Sequence, residues 1–258
     1  MAPARLTTAP EDAARDTAPG GDVTWKGNLA DLTDGVKATF NNDTTGKKYL
    51  DVTLTDVWRP YEIIVNDQGV TMTQRGEASG KIGYVFNGEG SIADYADELG
   101  NIHATSLTKK GSGILVLANS GNTYSGGTDV QQGTLYVADQ GALGSGAVTL
   151  HDGTEMWVNY TWNNDYSSSF RNPEVSNTIN LANGASSMIS YGGFPYKKVL
   201  GKDTTRIWRN MYLTGGITGN ADSHLFLQAY TSHYGTGNYS TNRLHIGDSV
   251  SMRGELCY

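Results

Sequence analysis

Apolar and polar residues alternate over short stretches of this chain, and glycine-rich turns separate the stretches. A strand sends successive side chains to opposite faces, so an alternating run has one apolar and one polar side. In Gly133-Thr134-Leu135-Tyr136-Val137 the pattern puts Leu135 and Val137 on one face and Thr134 and Tyr136 on the other. Ala147-Val148-Thr149-Leu150 turns Val148 and Leu150 inward, and Asp129-Val130 follows the Gly126-Gly127 pair in the same way. Upstream, Leu50-Asp51-Val52-Thr53-Leu54-Thr55 sends Leu50, Val52 and Leu54 inside and leaves Asp51 as decoration on the outer face.

The same reading predicts strands at residues 35–40, 49–57, 61–66, 69–74 and 81–86. Downstream it predicts strands at 155–160, 178–181, 187–191, 210–213, 224–230, 244–246 and 249–252. Residues 91–99 are the best helical stretch, with Ser91 as N-cap. Strands this short, with turns this frequent, describe a chain that winds, and glycine supplies the turns because no proline occurs between Pro60 and Pro173. The expected fold is all-β, a single-stranded parallel β-helix of about ten rungs at roughly 20 to 25 residues each. At about 4.8 Å per rung the rod is about 50 Å long. Its core is a stack of like on like, for which Leu115, Leu135, Leu150, Leu181, Leu213 and Leu227 are the candidate ladder.

Residues 107–150 carry the pattern most clearly. They contain Leu107-Thr108-Lys109, the glycine turn Gly111-Ser112-Gly113, the strand Ile114-Leu115-Val116-Leu117, then Asn122-Thr123-Tyr124-Ser125-Gly126-Gly127-Thr128 and Gly133-Thr134-Leu135. In that order and spacing the segment resembles the passenger-associated transport repeat, also called the autotransporter-associated β-strand repeat. Ile114 and Val116 stand where outward threonines are usual, and Lys110 precedes the glycine turn, so this rung is more apolar outside and invites a covering loop. The resemblance implies a right-handed parallel β-helix in the exported passenger of a Gram-negative surface protein. It implies an outer-membrane β-barrel translocator as partner in the full-length protein, and no chemistry.

Composition fits a narrow solenoid core: 33 of 258 residues are glycine and only 38% are hydrophobic, with a mean hydropathy of -0.41. The formal net charge of -7 argues against a nucleic-acid partner. Cys257 is the only cysteine, so no internal disulfide forms. Residues 1–21, rich in Ala, Pro, Thr and charge, read as a disordered leader or linker without the apolar centre of a secretory signal. Residues 22–258 read as the β-helical segment, with Trp25 placed to plug its first rung. A strand-like run directly before Tyr258 reads as a column truncated at its C-terminal end.

Candidate chemistry is sparse. His103, His151, His224, His233 and His245 lack zinc-motif spacing, no metal or cofactor is expected, and Asp31, Asp34, Asp51 and Asp56 are the carboxylates available to an acid/base pair. Three longer polar and aromatic segments, 159–173, 191–209 and 230–243, interrupt the strands. Their Trp162, Tyr166, Tyr196, Trp208 and Tyr234 are the candidate ligand-binding residues, flanked by Lys197, Lys198, Lys202, Arg206 and Arg209. Insertions in a solenoid emerge on one face, and aromatic rings beside basic groups suit an acidic glycan or a host surface. The competing role for these aromatics is a lid over the outer strand faces marked by Trp157, Tyr212 and Phe226. The sequence therefore points to a non-enzymatic stalk or adhesin segment on the bacterial surface. A β-helical polysaccharide-degrading enzyme and a pure export scaffold are the alternatives.

Overall fold

The structure is a computed structural model that describes residues 6–7, 34–41, 50–68, 70–74, 77–159, 173–192, 210–230, 243–246, 250–252 and 255–257. The elements are all strands. The two-residue β1 (Leu6–Thr7) lies within the expected leader and pairs antiparallel with β3. The first rung is β2 (Lys37–Phe40), β3 (Leu50–Leu54) and β4 (Val57–Trp58). The second is β5 (Glu62–Asn66), β6 (Val70–Gln74), β7 (Glu77–Asn87) and β8 (Ser91–Ile92), followed by a hairpin of β9 (Tyr95–Ala96) and β10 (Ile102–His103). Two short rungs come next, β11 (Ser106–Lys110) with β12 (Ile114–Leu117), and β13 (Thr128–Val130) with β14 (Thr134–Val137). The fifth rung holds β15 (Val148–Leu150), β16 (Glu155–Val158) and β17 (Glu174–Val175). The sixth holds β18 (Ile179–Leu181), β19 (Ser186–Gly192) and β20 (Asn210–Leu213). The seventh holds β21 (Ile217–Gly219), β22 (His224–Tyr230) and β23 (Arg243–Ile246), and the eighth holds β24 (Val250–Met252) and β25 (Glu255–Cys257).

Each rung contributes one strand to each of two long sheets, and all neighbours along both stacks are parallel. Sheet 1 runs β2-β5-β11-β13-β15-β18-β21-β24, and sheet 2 runs β3-β7-β12-β14-β16-β19-β22-β25, with β1 and β6 added antiparallel. A third face is made by β4-β8 at one end and β17-β20-β23 at the other. Between these pairs the backbone ladder continues without regular strands, through Thr123 N–H to Ile92 O at 2.8 Å and Ser145 N–H to Tyr124 O at 2.9 Å. This is a parallel β-helix, as the alternation and the glycine turns predict.

Register explains the core. In sheet 1 the inward positions form two columns, Ala38-Ile63-Leu107-Thr128-Val148-Ile179-Ile217 and Phe40-Val65-Lys109-Val130-Leu150-Leu181. In sheet 2 Leu115, Leu135, Met156, Ile189 and Leu227 stack in register, and on the third face Val175, Leu213 and Ile246 do the same. The leucines expected in one ladder are thus shared among three, because a rung has three sides and each strand stacks only on its own sheet. Every interior side chain is covered by the rung on either side, so burial worth about 1.5 to 3 kcal/mol per residue accrues only when rungs stack.

Two expectations change, and a third falls outside the described residues. Residues 91–99 are not a helix: Ser91–Ile92 and Tyr95–Ala96 are strands and the chain turns at 98–99, because Ile92 is drawn into the third-face stack and Asp97 organises the turn. The described residues make eight rungs rather than about ten, since excursions lengthen several rungs well beyond those at 107–150. Trp25 falls outside the described residues; Trp58 and Phe40, both 0% exposed, fill the interior near the first rung, where Phe40 makes edge contacts with Trp58, Tyr84 and Phe86.

Candidate functional site

The three long polar and aromatic segments share an origin. Strands β16, β19 and β22 are neighbours in sheet 2, with Val158, Tyr191 and Ala229 in register at their ends. The chain re-enters on the third face at β17, β20 and β23, also neighbours. Residues 160–172, 193–209 and 231–242 therefore leave and rejoin the column at one corner on three consecutive rungs. In the third and fourth rungs the same corner is closed by a short connection, from Leu117 to Asn122 and from Val137 to Ala142. Trp162, Tyr166, Tyr196, Trp208 and Tyr234 all lie outside the described residues, so it is their anchor points that are placed.

Beside that corner, the outer face of sheet 2 is covered. Val85, Val116, Tyr136, Trp157 and Ser190 form one outward row in register, yet none is more than 5% exposed. Two of them, Trp157 and Tyr136, are large aromatics whose burial accounts for much of what covering this face gains. The Tyr136 hydroxyl donates to Asn159 O at 3.3 Å. Phe226, on the same face further along the column, is 44% exposed, so the cover thins there. Glu155 sits at the edge of this surface. Burial raises its carboxyl above the usual range, and hydrogen bonds from Ser190 and Thr134 oppose that shift.

The repeat segment places polar groups inside the column that the alternation pattern did not identify. Lys109 occupies an inward position between Val65 and Val130 and is 1% exposed. Its Nζ donates to Lys110 O and Gly111 O, both at 2.6 Å, and approaches Gln132 O on the next rung at 3.2 Å. Burial pushes this ammonium down to about 8, against the pull of the Asp67 carboxylate. Thr128 takes an inward place between Leu107 and Val148; its Oγ1 lies 2.6 Å from the hydroxyl of fully buried Tyr124, and burial raises that phenol well above its ordinary value. Asn122 spans three rungs on the third face. A signal existed in the sequence: a Lys two positions after an inward Leu, and a Thr where the stack calls for Val, break the periodicity at motif positions.

The remaining candidates serve the scaffold. Asp34 accepts from Arg59 N–H at 3.1 Å, Asp51 from Asn87 Nδ2 at 2.8 Å and Asp56 from Thr55 Oγ1 at 3.3 Å, while Asp31 lies outside the described residues. His151 pairs with Asp129 at 2.8 Å, His103 with Asp97 at 3.1 Å, and His245 stacks on Tyr212 at 4.5 Å. His233 is outside the described residues. Among the described residues no group of three or more His, Cys, Asp or Glu side chains is arranged to hold a metal ion.

Residues 107–137 match the Passenger-associated-transport-repeat. Over 64 residues the chain is 45% identical to the adhesin BmaC autotransporter of Brucella suis biovar 1 (strain 1330), a stretch that covers 23% of this chain and 2% of that protein. The match thus spans a very small part of the curated relative's length. No solved structure matches the chain. The chain carries an autotransporter passenger repeat, built into the middle of a parallel β-helix.

Proposed function

We propose that this chain is a segment of an exported, surface-located autotransporter passenger that acts as an adhesive stalk, holding its three long segments out for contact with a host surface or glycan. The observation that carries the reading is the common corner from which residues 160–172, 193–209 and 231–242 depart on consecutive rungs. Segments spaced at about 4.8 Å along a rod lie side by side. These three segments carry Trp162, Tyr166, Tyr196, Trp208 and Tyr234 and five basic residues, the residues assigned to the contact. Aromatic faces match sugar rings and the cations match acidic groups on them. The adhesin name of the partial relative supports the reading. In the whole protein the transport repeat implies an outer-membrane β-barrel translocator as the export partner.

Binding rather than catalysis is proposed because Asp34, Asp51, Asp94 and Asp152 are each spent on backbone or side-chain hydrogen bonds of the column. A glycan array comparing the wild type with Trp162→Ala and Trp208→Ala tests it. Binding to sialylated or uronate-bearing glycans that falls in both variants, with unchanged thermal stability, is the expected result. No binding by the wild type to any glycan would leave the segment a spacer and would overturn the adhesive role.

A further inference from the structure

We propose that the β9–β10 hairpin together with Tyr61 forms a second glycan-binding site, one that takes uncharged pyranose rings. It lies on another corner of the column, between the third face and sheet 1 at the second rung, so it goes beyond the reading given for the three long segments.

The hairpin is built, not merely exposed. At its base Asp94 accepts from Thr105 N–H at 2.9 Å, Ser125 N–H at 2.8 Å and Ser125 Oγ at 2.7 Å. Burial acts to raise the Asp94 carboxyl, and these hydrogen bonds outweigh it and hold the group below its ordinary value. The Thr105 hydroxyl lies 2.5 Å from Pro60 O and 3.0 Å from Ala93 O, tying the hairpin to the turn that carries Tyr61. At the tip Asp97 accepts from Asn101 Nδ2 and from the backbone N–H groups of Leu99 and Asn101. It also lies 3.1 Å from His103 Nε2. These contacts, led by the Asn101 side chain, keep its carboxyl well below the usual range. An ionised carboxylate can only accept, so the His103 Nε2 is the donor in this pair.

On this frame three rings stand in a row. Tyr95 and His103 stack at 5.8 Å and 26°, and Tyr61 tilts against His103 at 6.2 Å and 58°. Behind them the Tyr95 ring is pressed onto Gly35, where a Cβ would come within 2.6 Å of a ring carbon. Tyr61, at the outer end, is 53% exposed. A pyranose presents an apolar C–H face that lies on an aromatic ring and hydroxyls at its rim, and the phenol and the imidazole supply polar partners at the ring edge. Because the row is fixed in advance, little side-chain entropy is lost on binding. Charge selects the sugar. Asp97, paired with His103, and Asp34, next to the Gly35 that Tyr95 rests on, lie beside the row and outnumber the nearby cation Arg59, so carboxylate-bearing sugars are repelled and uncharged ones are not.

The test uses the full chain on an array that carries neutral hexose and N-acetylhexosamine oligosaccharides as well as sialylated and uronate-bearing ones. Neutral glycans are expected to bind the wild type, and Tyr61→Ala to weaken that binding about tenfold or more with no change in melting temperature. Tyr61→Phe, which keeps the ring, retains most of the binding, and Thr149→Ala, three rungs further along on the outer face of sheet 1, matches the wild type. Neutral-glycan binding that is the same in Tyr61→Ala and wild type overturns the site. If Trp162→Ala and Trp208→Ala abolish that binding instead, the long segments alone hold the ligand. A wild type that binds only charged glycans also overturns this site but leaves the other reading standing. One that binds none removes both.

Discussion

Asn122 and Ile92 are joined side chain to backbone: Oδ1 of Asn122 accepts from the Ile92 N–H at 2.8 Å across the boundary between the second and third rungs. The Nδ2 of the same amide donates to Ala142 O at 2.7 Å, one rung further on, and Asn119 Nδ2 reaches Oδ1 at 2.6 Å. One side chain thus adds bonds between rungs to the backbone ladder that the irregular third face makes only in part. Asn122→Ala leaves a buried donor and a buried acceptor without partners, at about 1 to 3 kcal/mol each. Urea unfolding is expected to show a loss of about 3 kcal/mol; a loss below 0.5 kcal/mol would deny the amide this role.

Lys109 makes a distinctive pH prediction. Its folded-state pKa is depressed to about 8 from an ordinary 10.5, so between those values the unfolded chain binds more protons than the folded one. Stability contributed through this residue therefore rises with pH across that window and is lost as pH falls through about 8. Measured as the difference in unfolding free energy between wild type and Lys109→Met, which cancels other titrating groups, the gain is on the order of 3 kcal/mol. A difference that stays flat from pH 7 to 10.5 would mean the ammonium is solvated.

Leu135 and Thr149 face opposite ways. Leu135 is 0% exposed between Leu115 and Met156, so Leu135→Asp buries a carboxylate and is expected to cost more than about 4 kcal/mol and to unfold neighbouring rungs. Thr149 lies on the outer face of sheet 1 between Asp129 and Asn180, and Thr149→Lys is expected to change stability by less than about 0.5 kcal/mol. Circular dichroism melts of the two variants would check both directions.

Gly127 and Gly153 separate strain from crowding. Both have positive φ, 85° and 70°, but a Cβ on Gly127 would sit 2.7 Å from Ala147 O while Gly153 has open space around it. Gly153→Ala is expected to cost about 1 to 2 kcal/mol, the left-handed conformation alone. Gly127→Ala should cost clearly more, because the backbone of the next rung cannot move aside. Equal losses in chemical denaturation would show that the rungs adjust freely.

Trp157 and Phe226 test where the cover over sheet 2 ends. Trp157 is 5% exposed and Phe226 44%, although both point outward from the same sheet. Trp157→Ala is expected to cost about 3 to 5 kcal/mol, and Phe226→Ala about 1 kcal/mol or less. Comparable small losses for both would mean that the outer face is bare.

The winding of the chain was readable from one dimension because a strand's alternation is local: Leu135 and Val137 face inward whatever lies above them. Turn glycines and the motif at 107–137 are equally local, and the short rungs there repeat closely enough for the period to show. What could not be read was set by contacts between rungs. Residues 91–99 have a helix-like start, and they became strand and hairpin because the stack takes up Ile92 and Asp97 gathers four donors at the tip. The leucines divided among three ladders because register depends on the lengths of excursions. Lys109 and Thr128 broke the apolar pattern visibly, but that each is satisfied inside, by carbonyls and by Tyr124, needed the neighbouring rungs. The side-by-side departure of the three long segments is of the same kind, since residues far apart in sequence share a corner only once the column has wound.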